Sequence, residues 1–124
     1  MPDILIIEDD AALLTAYTTV LRAEQFTTHV AIDGVEGLAI ARRIKPDIIL
    51  LDMLMPNLNG LEFLREFDVK RKYPNTKVIM FSNMSVPSDV HDALELGASK
   101  YLTKSSFTPK EIAGIINEVI SSGE

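Results

Sequence analysis

Five times over, this chain sets a short strand-like run before a longer segment with helical apolar spacing. The pattern predicts strands over about 3–8, 26–31, 47–52, 77–82 and 99–103, and helices over about 10–24, 34–44, 60–73, 86–96 and 108–121. A repeated strand–helix unit closes as a parallel sheet, because parallel neighbours need a crossover and the helix supplies it. Ile4-Leu5-Ile6-Ile7, Ile48-Ile49-Leu50-Leu51 and Val78-Ile79-Met80-Phe81 are apolar throughout, which places the first, third and fourth strands in the centre, covered on both faces. Phe26-Thr27-Thr28-His29-Val30 and Lys100-Tyr101-Leu102-Thr103 mix polar with apolar residues and suit the edges.

Right-handed crossovers then allow the strand order 2-1-3-4-5. The expected fold is α/β: a flavodoxin-like, doubly wound, five-stranded parallel sheet with five helices. Leu13, Leu14, Tyr17, Val20 and Leu21 share one helical face, as do Ile112, Ile115, Ile116, Val119 and Ile120. Thr108-Pro109-Lys110-Glu111 reads as a capping box with proline at the first helical position, Asp33 as a cap of the second helix and Gly97 as the stop of the fourth.

The 124 residues are read as one domain spanning 1–124, and at 47% hydrophobic they can bury a full core. The absence of cysteine excludes a disulfide framework, a thiolate metal site and a cysteine nucleophile. No apolar stretch approaches the roughly 20 residues of a membrane span and no signal peptide is visible, so a soluble cytoplasmic protein with no membrane partner is expected. The net charge is −6 and the longest uninterrupted basic run is the short Lys70-Arg71-Lys72, which argues against direct nucleic-acid binding by this segment.

Parallel strands bring their carboxyl ends to one edge, where ligands of open α/β sheets bind. That edge would gather Glu8, Asp9 and Asp10 from the first strand, Asp52 from the third, Ser82 from the fourth and Lys104 from the fifth. Carboxylates in one crevice repel each other and are tolerable only if a cation sits among them or a proton is shared; the crevice reads as a divalent-cation site, and its oxygen-only ligands favour Mg²⁺. Asp10 is read as the cap of the first helix rather than a ligand. Carboxylates, a hydroxyl and an ammonium together are equipment for handling a phosphoryl group with a metal.

These residues resemble the response-regulator receiver domain of two-component signalling, of the chemotaxis-receiver type, over essentially the whole chain. The motifs are Ile7-Glu8-Asp9-Asp10, Leu51-Asp52-Met53-Leu54-Met55-Pro56 with Gly60, Phe81-Ser82, Gly97-Ala98 and Tyr101-Leu102-Thr103-Lys104. Ser82 follows Asp52 by 30 residues (52 to 82) and Lys104 follows it by 52 (52 to 104), separations similar to the family's. The resemblance implies that Asp52 accepts a phosphoryl group from a sensor histidine kinase or phosphotransfer protein. Asp9 would ligate Mg²⁺ (with Mn²⁺ as a substitute), Glu8 would act through water, and Asp52 and the backbone carbonyl of Leu54 would complete the protein ligands. Lys104 would pair with the phosphoryl group, Ser82 would move to hydrogen-bond it, and Tyr101 would swing inward. The surface of the fourth helix, fifth strand and fifth helix would then change for a downstream protein or output domain. Such a chain is a signalling switch, not an enzyme beyond its own phosphoryl transfer and dephosphorylation.

Several positions depart from the family pattern. The family has Lys-Pro, usually cis, where this chain has Lys104-Ser105; a retained cis bond is expected so that Lys104 still reaches Asp52, despite a cost of about 2.5–4 kcal/mol. Asn83 stands where a small residue is usual, and would either narrow access to Asp52 or add a phosphate contact. Leu54 and Met84, both apolar, occupy the positions that flank the phosphoryl group, which predicts slow to moderate hydrolysis. The competing reading is a pseudo-receiver, a docking module that takes no phosphate. A haloacid-dehalogenase-type phosphatase needs an aspartate two residues after its nucleophile, where Leu54 stands, and Glu8-Asp9-Asp10 would repel the phosphate of a flavodoxin's FMN.

Overall fold

A computed structural model describes residues 1–83 and 86–122. Five parallel strands, β1 (Asp3–Ile7), β2 (Thr27–Ala31), β3 (Ile48–Asp52), β4 (Lys77–Ser82) and β5 (Lys100–Thr103), form one sheet in the order β2-β1-β3-β4-β5. This is the expected winding. The apolar runs of β1, β3 and β4 are fully buried, whereas β2 and β5 are partly exposed.

Continuous apolar runs are needed because side chains alternate across the sheet and both faces are covered. Leu5, Ile7, Ile49, Leu51, Val78 and Met80 point to one face, where they meet α2 (Gly34–Ile44), α3 (Gly60–Phe67) and α5 (Pro87–Glu95) through Ala41, Phe63, Phe67 and Ala93. Ile4, Ile6, Ile48, Leu50, Ile79 and Phe81 point to the other, against Tyr17 and Leu21 of α1 (Ala11–Ala23) and Ile112 and Ile116 of α6 (Pro109–Ser121).

The helix starts follow their caps. Asp10 accepts from the amides of Ala12 and Leu13, Asp33 accepts from that of Glu36, and Thr108 and Glu111 form the expected capping box. Asn59 and Glu62 form a second box at the start of α3. The third expected helix is interrupted at Asp68, which is left-handed (φ 55°, ψ 55°), and α4 (Val69–Lys72) continues beyond the break. Asp tolerates this conformation better than most residues. Downstream of it, Val69 lies buried against Gly97 (φ 110°), where a Cβ would come within 2.8 Å of Val69 Cγ1.

At Gly34 contact, not backbone freedom, demands glycine: a Cβ there would run into the Leu58 carbonyl oxygen. That contact and the Asn57 Nδ2 to Asp33 Oδ2 bond (3.2 Å) seat the β3–α3 loop on the start of α2. Gly34→Ala should therefore cost about 1–3 kcal/mol by forcing the loop outward. Urea denaturation would read this as a lowered midpoint, and an unchanged midpoint would show the loop free to yield.

Candidate functional site

Strand register assembles the site. Ile7 pairs with Leu51, Asp52 with Phe81 and Ser82 with Thr103, so the carboxyl ends of β1, β3, β4 and β5 stand side by side. Glu8, two residues past Ile6, and Lys104, two past Leu102, continue the alternation of their strands. Both point, like Asp52 and Phe81, to the face covered by α1 and α6.

Lys104 Nζ donates to Glu8 Oε1 at 2.6 Å and to Asp52 Oδ2 at 3.0 Å. Glu8 Oε2 accepts from the Asp10 amide (3.0 Å) and Asp52 Oδ1 from the Leu54 amide (3.2 Å). Glu8 is wholly buried and Asp52 is 3% exposed, so both depend on these partners. Burial pulls the Lys104 ammonium toward deprotonation, but its hydrogen bonds to Glu8 and Asp52 and their charges outweigh that and raise its pKa. Asp9 is exposed at the rim, and desolvation followed by the neighbouring Glu8 raises its carboxyl above the ordinary range.

The Lys104-Ser105 peptide is trans, which corrects the expectation of a cis bond. A 3₁₀ turn over Lys104–Ser106 follows β5, and the long lysine stem reaches both carboxylates from it. Nothing in that geometry calls for the cost of a non-proline cis bond.

Ser82 is 3% exposed at the end of β4 and points to the other face, beside Tyr101 on β5. The Tyr101 hydroxyl is already inside, buried and with no well-formed hydrogen bond among the described residues. Burial raises its pKa, against a smaller opposing influence from the nearby Ser82 hydroxyl. Leu54 is 67% exposed and Asn83 is exposed; Met84 lies outside the described residues. Phe81 stands in the apolar run of β4 and in the Phe81-Ser82 motif with no role of its own assigned, yet its ring lies under the Lys104 ammonium, 4.9 Å from ammonium to centroid. Strand alternation carries that signal, since residues paired with Asp52 share its face.

The family profile described as response regulator receiver domain matches residues 4–117. The chain belongs to this family. Among curated proteins, the DNA-binding response regulator MtrA of Mycolicibacterium paratuberculosis is 38% identical over 109 residues, covering 88% of this chain and 47% of that protein. The probable transcriptional regulator ycf27 of Porphyridium aerugineum is 36% identical, covering 94% and 47%. The chain thus spans about half the length of these relatives. Among solved structures, a CheY-like receiver domain protein from Methanospirillum hungatei JF-1 superposes with a TM-score of 0.90 at 27% identity, covering 98% of this chain and 95% of that one. The receiver domain of the Francisella response regulator 1452 gives 0.87 at 27% identity over the full length of both.

Receiver domains characteristically hold Mg²⁺ at an acidic cluster, and this receiver's donor set fits one. Glu8, Asp9 and Asp52 each offer a carboxylate oxygen, and the three oxygens lie within 4.8 Å of one another. Both Glu8 oxygens already accept hydrogen bonds, which suits contact through water, whereas Asp9 faces solvent. Because the fold favours protonated Asp9, its ionisation lowers stability as pH rises through its folded pKa. Asp9→Asn should accordingly raise stability at neutral pH without divalent cation, by about 0.5 kcal/mol for so exposed a group. The same substitution should weaken Mg²⁺ binding at least about tenfold, since it removes a charged oxygen ligand. Thermal denaturation with and without Mg²⁺ reads both effects, and a destabilised variant with unchanged Mg²⁺ response would contradict them.

Proposed function

We propose that residues 1–124 act as one phospho-accepting receiver domain, taking a phosphoryl group on Asp52 from a sensor histidine kinase or phosphotransfer protein. The observation that carries this reading is the Asp52 carboxylate, held between the Leu54 amide and the Lys104 ammonium with Glu8 and Asp9 alongside. In the proposed step an Asp52 oxygen attacks phosphorus, the phosphorus–nitrogen bond to the donor imidazole breaks, and the imidazole keeps the electron pair and takes a proton. The product is an acyl phosphate. Lys104 shifts from Asp52 to a phosphoryl oxygen, where its charge offsets the one that arrives. Ser82 turns to donate its hydroxyl to another phosphoryl oxygen.

Mg²⁺ would be held by Asp9 and Asp52, by Glu8 through water and by the Leu54 backbone carbonyl, and would supply charge neutralisation in the cleft. Ser82 and Tyr101 share a face with α5, so movement of Ser82 frees space beside the Tyr101 ring. Repacking there changes the surface of α5, β5 and α6, the fourth and fifth of the expected helices and the strand between them. A downstream protein or output domain reads that change. We assign the reaction to the cytoplasm, with no direct nucleic-acid contact by this segment.

Intact mass after incubation with acetyl phosphate and Mg²⁺ tests the reading. One phosphoryl group is expected on the protein, mapping to Asp52, and none when the metal is chelated. No uptake under conditions that label other receivers would leave a pseudo-receiver docking module.

A further inference from the structure

Lys104 comes from a trans peptide on a 3₁₀ turn, so the backbone does little to aim a side chain with four rotatable bonds. Something else must hold the ammonium over Asp52. Its two carboxylate partners are one answer, but Asp52 must release it when a phosphoryl group arrives. The third neighbour is the Phe81 ring, 4.9 Å from ring centroid to Nζ and inside the range of a cation–π contact. Phe81 is fully buried, and Tyr17 of α1 packs on it in an edge-to-face arrangement (5.5 Å, 67°). The ring therefore cannot turn away, and the Lys104 side chain is only 10% exposed above it.

We propose that Phe81, braced by Tyr17, is a positioning residue for phosphoryl transfer: its ring is the seat on which the Lys104 ammonium moves from Asp52 to the phosphoryl group. The attraction of an aromatic face for a cation is broad in angle. An ammonium can slide across it while exchanging one oxygen partner for another. A carboxylate, by contrast, loses its hydrogen bond as soon as the ammonium moves. Register fixes the arrangement: Asp52 pairs with Phe81 and Phe81 with Leu102, so the ring lies between the acceptor's strand and the strand that leads to Lys104.

The inference rests on the receiver reading, and two measurements keep their failures apart. The first is the rate of phosphoryl uptake from acetyl phosphate for wild type, Phe81→Leu and a protein carrying pentafluorophenylalanine at position 81. The fluorinated ring keeps size and apolar packing but loses the negative face, so it carries the test if Phe81→Leu fails to fold. Uptake is expected to slow by about 2- to 30-fold in both variants. The second is the chemical shift of the Lys104 ε-protons, which the ring current moves upfield in wild type and which should return toward the ordinary value in Phe81→Leu. Uptake at the wild-type rate with the fluorinated ring would overturn the proposal. If wild type takes no phosphoryl group, the receiver reading fails instead; the proton shift then judges the seat alone, and a shift absent from wild type overturns it.

Discussion

Asp52→Asn is expected to abolish phosphoryl uptake from acetyl phosphate and to leave the fold intact, slightly more stable than wild type. The amide oxygen of asparagine can still accept from the Leu54 amide, as Asp52 Oδ1 does. It is a poor nucleophile and forms no stable acyl phosphate, so the loss should be complete. For stability the balance differs. Glu8, Asp9 and Asp52 share a single cation, Lys104, among the described residues of the cleft. Removing one of three carboxylates relieves repulsion, while Lys104 retains its 2.6 Å bond to Glu8. Without Mg²⁺ the variant should gain about 1 kcal/mol, the scale of one weakly screened charge interaction. Urea titration beside intact-mass labelling reads both halves. A labelled Asp52→Asn protein would move the acceptor elsewhere, and a strongly destabilised one would make Asp52 a structural ion-pair partner first.

Lys104→Met should damage both properties. The stem keeps its apolar contacts, but Glu8 and Asp52 lose their ammonium while staying buried. Breaking a buried pair by removing one partner costs about 3–5 kcal/mol. The sign of its pH dependence follows from the pairing. The Lys104 pKa is raised in the folded protein, so its contribution is fully present below the unfolded lysine value and is lost as pH rises through the folded one. The deficit of the variant should therefore shrink in alkali as Lys104 deprotonates in wild type. Phosphoryl uptake should fall by about 10²–10³, as when one preorganised charge donor is removed from a reaction site. Mg²⁺ should restore part of the stability, because it replaces the missing positive charge. A variant as stable as wild type at neutral pH would mean that the cleft carboxylates are solvated well enough to need no partner.

Much of this was legible in the chain because the relevant physics is local. Ile4–Ile7, Ile48–Leu51 and Val78–Phe81 have no polar alternation, and such runs are stable only as central parallel strands covered on both faces. Asp10, Asp33 and Thr108 cap their helices with their own side chains, which spacing alone reveals. Once the strands are parallel, Glu8, Asp52, Ser82 and Lys104 must reach one edge.

What spacing does not contain is direction. Helical periodicity over 60–73 gives no sign that Asp68 turns left-handed to bury Val69 against Gly97, because that depends on a contact nearly thirty residues away. The Lys104-Ser105 bond is another case. The sequence shows the missing proline, but only the packed cleft shows that a trans bond and a long stem suffice. Phe81 is the third: an apolar residue in an apolar run becomes an aromatic seat only when register places it between Asp52 and Leu102 and Tyr17 closes behind it. Periodicity and charge in the sequence determined which elements form and which edge carries the chemistry, because those are properties of neighbouring residues. The orientation of Lys104, the inward place of the Tyr101 hydroxyl and the ring beneath the ammonium were decided by tertiary packing, because each is a contact between strands distant in sequence.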